Sequence, residues 1–400
     1  MGLPACISFH ARHRDGPNRF DDPRKTQARR RGGRRRLAYG LSLALAVPAS
    51  AEPIRVATYN VELQRRGPGL LLRDILAGES PDIAVVTGVI AEVAPDILVL
   101  TGFDHDHDGH ALAAFAARLA TLGLDYPHSF APGPNTGLAT GLDLDGDRRR
   151  GGPRDAQGYG EFRGQGGMAL LSRWPLDLAT ARDFSAFLWR DLPGAIPPPL
   201  PPEVAAVQRL STTGHWDVPV LTPAHGTVRV LAFHATPPVF DGPEDRNGRR
   251  NHDETAFWRA WLDGALGGVP PRQRFVIAGD ANLDPLDGEG RTDAITALLA
   301  DPRLQDPAPG SAGGVEAAFA QGGANDAHRG DPALDTADWN DDAPGNLRVD
   351  YVLPSSDWQV VDAGVFWPAR ADPRAALLGA PSAEVTRHRL VWVDLDLLGG

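Results

Sequence analysis

The sequence predicts an α/β protein in which β-sheets lie inside a covering of helices. Short apolar runs read as buried strands, helical patterns separate some of them, and the spacing between strands varies too widely for a strictly alternating parallel array. In chain order, Ile54 to Tyr59 is an apolar run ending in Asn60, and Leu70 to Ala77 follows with helical periodicity. Ile97 to Leu100 reads as a second strand and Ala111 to Leu122 as a second helix. Met168 to Leu171 and Val228 to Phe233 are further strands, and Glu254 to Leu266 has a helical pattern. Phe275 to Ala278 is a strand stopped by Gly279, Thr292 to Leu299 a helix, and Tyr351 to Leu353 and Leu390 to Leu395 the last strands. Long loops lie between them, proline-rich from Pro193 to Pro202 and acidic and glycine-rich from Gly322 to Gly345. Long ordered loops tend to carry function.

The N-terminus stands apart. Arg29 to Arg36 is basic, Leu37 to Val47 is apolar, and Pro48-Ala49-Ser50-Ala51 follows, the order of regions in a cleaved export signal. Cleavage is expected after Ala51, leaving one domain over 52–400, exported to the periplasm or secreted. The 11 apolar residues fall well short of the roughly 20 that span a bilayer, so stable membrane insertion is not expected. The paired arginines leave Sec and twin-arginine export both open. Cys6, the only cysteine, lies in this leader, so the mature chain can form no disulfide and no thiolate metal site. Of the 40 Lys+Arg and 51 Asp+Glu, the leader holds 11 and 3, which leaves 29 against 48 and a net charge of −19. Binders of long nucleic acids normally carry the opposite balance, so a polymeric substrate is disfavoured though compatible.

Polar residues collect where the strands end. Gly279-Asp280-Ala281-Asn282 sends a carboxylate and an amide to one side of the alternation, a pairing that suits phosphate-ester chemistry and that an Asp/Asn turn would also explain. Asn60 and Glu62 share a side after the first strand. His234 ends its strand, as a core histidine or a catalytic one. Asp350 begins another strand, and His388 precedes the last.

With these motifs in order the sequence resembles the endonuclease/exonuclease/phosphatase superfamily. The resemblance rests on Thr58 to Val61, Pro95 to Leu100, Gly167 to Ser172, the His234 strand, Gly279 to Asn282, Arg348 to Leu353 and the His388 strand, and it spans nearly the whole mature chain. It implies a four-layered α/β sandwich, two mostly antiparallel sheets packed face to face under outer helices. It also implies that His388 activates water while Asp350 fixes its tautomer, the pairing expected of a tuned histidine. His234 and Asn282 would contact the phosphate, Asp280 would position water or hold a metal, and Asn60 would lie beside a divalent cation. Magnesium is the expected ion, with manganese or calcium able to fill a similar shell.

Two positions depart from the family. Its principal metal glutamate falls at Gly102, so Asp104 or Glu62 is the expected replacement ligand, Asp104 being preferred. Arg387 stands where an aspartate is usual and is expected to bind phosphate or lower the pKa of His388. Arg246 and Arg250, after the His234 strand, are expected to contact substrate phosphate. Asp104 to Gly109 resembles half a calcium loop but has Phe115 where the twelfth-position glutamate belongs, and Asp143, Asp145 and Asp147 fail likewise at Arg154. The expected activity is metal-dependent hydrolysis of a phosphoester by a monomer acting as phosphodiesterase, nuclease or phosphatase. The alternative is a catalytically degenerate member that binds phosphate or metal.

Overall fold

The computed structural model describes residues 52–379 and 385–398. The expected leader and its cleavage point lie outside the described residues. The first sheet holds β1 (Ile54–Leu63), β2 (Ile97–Phe103), β3 (His128–Phe130), β4 (Gly167–Ser172), β12 (Trp358–Val365) and β13 (Val391–Leu397), in the order β12-β13-β1-β2-β4-β3. The second holds β5 (Arg182–Asp183), β6 (Gly214–Thr222), β7 (Gly226–His234), β8 (Phe275–Asp280) and β11 (Asp350–Pro354), in the order β11-β8-β7-β6-β5. Each sheet is antiparallel except for one central parallel pair, β1 with β2 and β7 with β8. A two-stranded ribbon, β9 (Ala337–Asp338) with β10 (Asn346–Leu347), lies apart from both. The helices are α1 (Leu70–Ala77), α2 (Pro81–Val93), α3 (His110–Thr121), α4 (Pro202–Ala205), α5 (Arg246–Leu262), α6 (Asp293–Leu299) and α7 (Ala312–Gln321).

Strand alternation builds the layers. On β1, Val56 faces the second sheet within a core that includes Val99, Val230, Val276 and Val393, whereas Ala57 and Tyr59 face Ile83, Val86 and Phe115 of α2 and α3. On β8, Val276 and Ala278 point into the inter-sheet core, while Phe275 and Ile277 meet Trp258 and Trp261 of α5. The result is the expected sandwich of helices, sheet, sheet and helices. Among the described residues no helix is long and apolar enough to cross a membrane.

All seven expected strands form, most of them longer than their apolar runs. Strands β3, β5, β6, β9, β10 and β12 and helices α2, α4 and α7 are additional to the expected elements, and α2 and α5 show why. α2 escapes recognition because its valines and isoleucines read as strand formers, yet Ile83, Val86, Val89, Ile90 and Val93 lie on one buried face and Pro81 sits at the helix start. α5 starts at Arg246, not Glu254, because its first two turns are polar residues buried through specific partners and lack apolar periodicity. The expected substrate-binding loop is therefore helix.

Candidate active site

Three polar side chains share one rung of the second sheet. In register, His234 of β7 pairs with Asp280 of β8, and Asp280 pairs with Asp350 of β11. All three continue the inward-facing series of their strands, so the apolar core between the sheets ends in a buried layer of carboxylates and imidazoles. Asn60 occupies the matching place on β1, two residues past Thr58 and four past Val56. His388 enters just ahead of β13, whose first residue Val391 pairs with Thr58. Asp280 and Asp350 are fully buried and Asn60 and His388 nearly so.

Gly279 lets this rung form. A Cβ there would lie 1.9 Å from the carbonyl oxygen of Phe233 on the adjacent parallel strand, so no larger residue fits between the strands bearing His234 and Asp280. Asn282 then takes a left-handed backbone conformation, φ 47°, which asparagine tolerates, and its N–H donates to Asp280 Oδ1 at 2.7 Å. Both readings of the Asp/Asn pair hold at once: it is a turn, and it sits at the site.

The hydrogen bonds favour one tautomer of His388. Its Nδ1 lies 2.8 Å from Asp350 Oδ2, so Nδ1 carries a proton donated to the carboxylate. Nε2 lies 3.4 Å from Asn60 Nδ2, a group that can only donate, so in the neutral ring Nε2 offers its lone pair on that side. Asn60 Nδ2 also donates to Asp280 Oδ2 at 2.8 Å, and Asn282 Nδ2 donates to the same oxygen at 3.2 Å and to Ala235 O at 3.0 Å. His234 Nε2 stands 3.5 Å from Asp280 Oδ2.

Burial and charge tune the group. For His388, burial opposes protonation, but the charges of Asp350 and Asp280 outweigh it and push the pKa up to about 9. Asp280 is raised to about 7 by burial and by the charge of Asp350, against the pull of His388 and Asn60. Burial, followed by the His388 charge, lowers His234 to about 3 and keeps it neutral. A neutral histidine beside a phosphate can donate a hydrogen bond without bringing charge.

Glu62 and Arg387 form the rim. Glu62 turns out of β1 with φ 45°, donates its N–H to Asn60 Oδ1 at 3.2 Å, and meets Arg387. The Arg387 N–H donates to Glu62 Oε2 at 2.6 Å, Nε to Oε1 at 3.1 Å, and Nη2 also to Oε1. Burial opposes ionisation of Glu62, but these bonds and the charges of His388 and Arg387 hold its carboxyl below the usual range.

Other expected site residues lie elsewhere or are engaged. Asp104 does not join the cluster: its oxygens accept the N–H groups of Arg65 at 2.8 Å and Gly166 at 2.9 Å, pinning two loops. Burial still raises its pKa to about 6. Arg250 does not face an open mouth, because its guanidinium is buried and donates to the carbonyls of Leu210, Gln157 and Arg209, each at 2.7 Å. Arg246 donates to the side chain of Gln208. Asp143 accepts N–H groups from Gly146 and Arg148, as an acidic turn does.

Thr336, Thr386 and Trp339 belong to the site without having been recognised in the sequence. Thr336 Oγ1 donates to Asp350 Oδ2 at 3.0 Å and accepts the Asp350 N–H at 3.0 Å. Thr386 Oγ1 donates to Asn60 O at 2.7 Å, and the Trp339 ring meets His388 edge-on at 5.4 Å. The only signal available for Thr336 and Trp339 was their place in a long acidic loop. Ala337 of that loop bridges to His388 itself.

A divalent cation can be tested against these donors. Asp280, Asp350 and His388 each offer a ligand atom within 4.8 Å of the others. However, His388 Nδ1 and Asp350 Oδ2 bond each other, and both oxygens of Asp280 already accept N–H donors. Asp350 Oδ1 is buried without a partner, which makes one ligand and not a shell. At the rim the carboxylate of Glu62 is taken by Arg387. A hard octahedral ion of this kind keeps several waters and binds through one or two carboxylates, and of these residues as arranged only Asp350 offers an oxygen without a partner.

Comparisons with known proteins agree with this architecture. A model of the Endonuclease/Exonuclease/phosphatase family matches residues 57–388. Among solved structures, the chain is similar to an endonuclease/exonuclease/phosphatase from Beutenbergia cavernae DSM 12333, with 21% identity over 87% of this chain and 72% of that one and a TM-score of 0.51. It is also similar to a family protein from Leptotrichia buccalis C-1013-b, at 13% identity, 86% and 100% coverage and TM-score 0.47. Sphingomyelinase C from Streptomyces griseocarneus is similar at 17% identity, 86% and 99% coverage and TM-score 0.42. No curated protein matches the chain.

Proposed function

Because the chain belongs to the Endonuclease/Exonuclease/phosphatase family, we propose that it hydrolyses a phosphoester by attack of water activated by His388. The observation that carries this reading is the Asp350–His388 pair, with Nδ1 held at 2.8 Å by a buried carboxylate and Nε2 3.4 Å from Asn60 Nδ2. This is the geometry of a general base with its orienting partner. His388 Nε2 takes a proton from water as the water oxygen bonds to phosphorus, and the ester oxygen leaves with its electron pair and is protonated from solvent. Asp350 stabilises the imidazolium that forms. Asp280 orients the water. Asn282 Nδ2, whose bond to Asp280 is long, and neutral His234 donate to the phosphoryl oxygens as charge builds on them.

The family uses a divalent metal, and magnesium is the ion expected from the resemblance. No step above runs through it, since the donors here do not fit its shell. The acidic balance of 52–400 supports a small or non-polymeric phosphoester over a long nucleic acid. The basic, apolar and small-residue leader supports export, which cell fractionation would test.

Purified protein is to be offered bis-p-nitrophenyl phosphate, plasmid DNA, RNA, sphingomyelin and inositol phosphates, beside His388→Ala and Asp280→Ala. Turnover of at least one substrate, lost in both variants, is the expected outcome. If wild type is as inert as the variants on every substrate, the hydrolase reading falls to the alternative, a catalytically degenerate member that binds phosphate or metal, which Gly102 favours.

A further inference from the structure

Gly102 lies beside Asn60 on the neighbouring strand with φ +67°, a conformation that favours glycine, and a Cβ there would sit 2.3 Å from Asn60 Oδ1. Asn60 Oδ1 therefore fills the space in which a side chain at 102 would begin, and it receives the Glu62 N–H at 3.2 Å. This fixes Glu62 in its left-handed turn, where its carboxylate accepts Nε and Nη2 of Arg387 along one edge of the guanidinium. Nη1 has no partner among the described residues, and the Arg387 side chain remains 58% exposed. The fork thus has one edge clamped and one open. It stands beside His388 in the chain and is tied through Glu62 and Asn60 to Asp280.

We infer that Arg387, oriented by Glu62, is the phosphate-binding cation of this site and takes the place of a divalent metal ion. This rests on the hydrolase reading above and makes it more specific. A guanidinium presents planar paired donors that match phosphate oxygens, and clamping one edge reduces the rotamer freedom lost on binding. The same clamp engages both oxygens of the Glu62 carboxylate, which a metal ion at the rim would otherwise use.

The experiment has two arms. Calorimetry with inorganic phosphate, in EDTA, compares wild type with Arg387→Ala, Arg387→Lys and Glu62→Gln. The expected result is binding by wild type, weakened about tenfold or more in Arg387→Ala and only partly restored by lysine, which keeps the charge but loses the fork. Glu62→Gln, which keeps one acceptor oxygen and turns an amide NH2 toward the fork, should weaken phosphate binding by a few-fold. Hydrolysis of bis-p-nitrophenyl phosphate is then followed in EDTA and in magnesium. Arg387→Ala should raise KM more than it lowers kcat, and EDTA should change the wild-type rate by less than about twofold. Activity abolished by EDTA, restored by magnesium and lost in Glu62→Gln would overturn the inference while leaving the hydrolase intact. Were no substrate hydrolysed at all, the hydrolase reading would fall and phosphate binding would decide alone: binding lost in Arg387→Ala supports the inference, and equal binding by wild type and that variant sinks it.

Discussion

Asp350→Asn is the most informative perturbation of the site. In the folded protein the buried carboxylates raise His388 from 6.5 to about 9, a preference for imidazolium of ~3 kcal/mol. At pH 7 roughly one molecule in a hundred then holds His388 in the neutral form that can accept a proton. The value of kcat/KM, which reports the free enzyme, should rise nearly tenfold per pH unit from about pH 6 and level off near pH 9. Asp350 is the nearest charge and also the hydrogen-bond partner of Nδ1, whereas Asp280 stands 4.0 Å from that atom. Replacing the Asp350 carboxylate with an amide should move the midpoint toward acid by at least about one pH unit, because only Asp280 and the weaker influence of Glu62 remain to hold the proton. It should also lower the plateau by roughly a hundredfold or more, because the amide no longer stabilises the imidazolium. The measurement is a pH series of kcat/KM on a chromogenic phosphodiester for both proteins. A wild-type profile flat between pH 6 and 9, or a midpoint unmoved in Asp350→Asn, would refute the assignment of His388 as base.

The same residues set four further outcomes. His388, raised in the fold, contributes stability that is fully present below about pH 6.5 and is lost as pH rises through about 9, so the unfolding free energy from urea titration should fall across that window by up to ~3 kcal/mol and fall less in Asp350→Asn. Gly102→Glu should not create a metal site; its left-handed φ and the 2.3 Å approach to Asn60 Oδ1 should cost roughly 2 kcal/mol or more in thermal unfolding. Arg250→Ala, which strips donors from the carbonyls of Leu210, Gln157 and Arg209 and leaves buried Glu254 without its neighbouring cation, should destabilise by about 3–5 kcal/mol, read by denaturant titration. Thr336→Val removes the hydroxyl that bonds Asp350; it should lower kcat by about tenfold with KM little changed, and an unaltered kcat would separate Thr336 from the site.

Much of the fold was legible because the buried strands are short apolar runs and alternation fixes which residue faces which layer. The polar rung was legible for the same reason: Asp280 is two residues past Ala278, and Asn60 is two past Thr58, so the inward series can be counted from the sequence. What periodicity cannot reveal is a polar residue that is buried through its partners. Arg250 reads as a loop contact for substrate phosphate and Glu254 as the start of a helix, yet both are enclosed, Arg250 by backbone carbonyls and Glu254 by the N–H groups of Thr212 and Thr236. Asp104 is similar, since an acidic residue near the mouth reads as a ligand, whereas in the fold it lies outside the cluster and accepts two backbone N–H groups.

The rim shows how two departures in sequence become one arrangement in space. Seen separately, the glycine at 102 removes a carboxylate and the arginine at 387 adds a positive charge, and neither predicts the other. Asn60 connects them, because its side chain can bend over residue 102 only where there is no Cβ, and from there its Oδ1 receives the Glu62 N–H that turns the carboxylate toward Arg387. Restoring a side chain at 102 would displace Asn60 Oδ1, loosen Glu62 and free the clamped edge of Arg387. Gly102→Ala should therefore weaken phosphate binding as Arg387→Lys does, by a few-fold, through a residue that never touches phosphate. If Gly102→Ala folds and binds phosphate as wild type does, the coupling from Gly102 through Asn60 to Arg387 is absent.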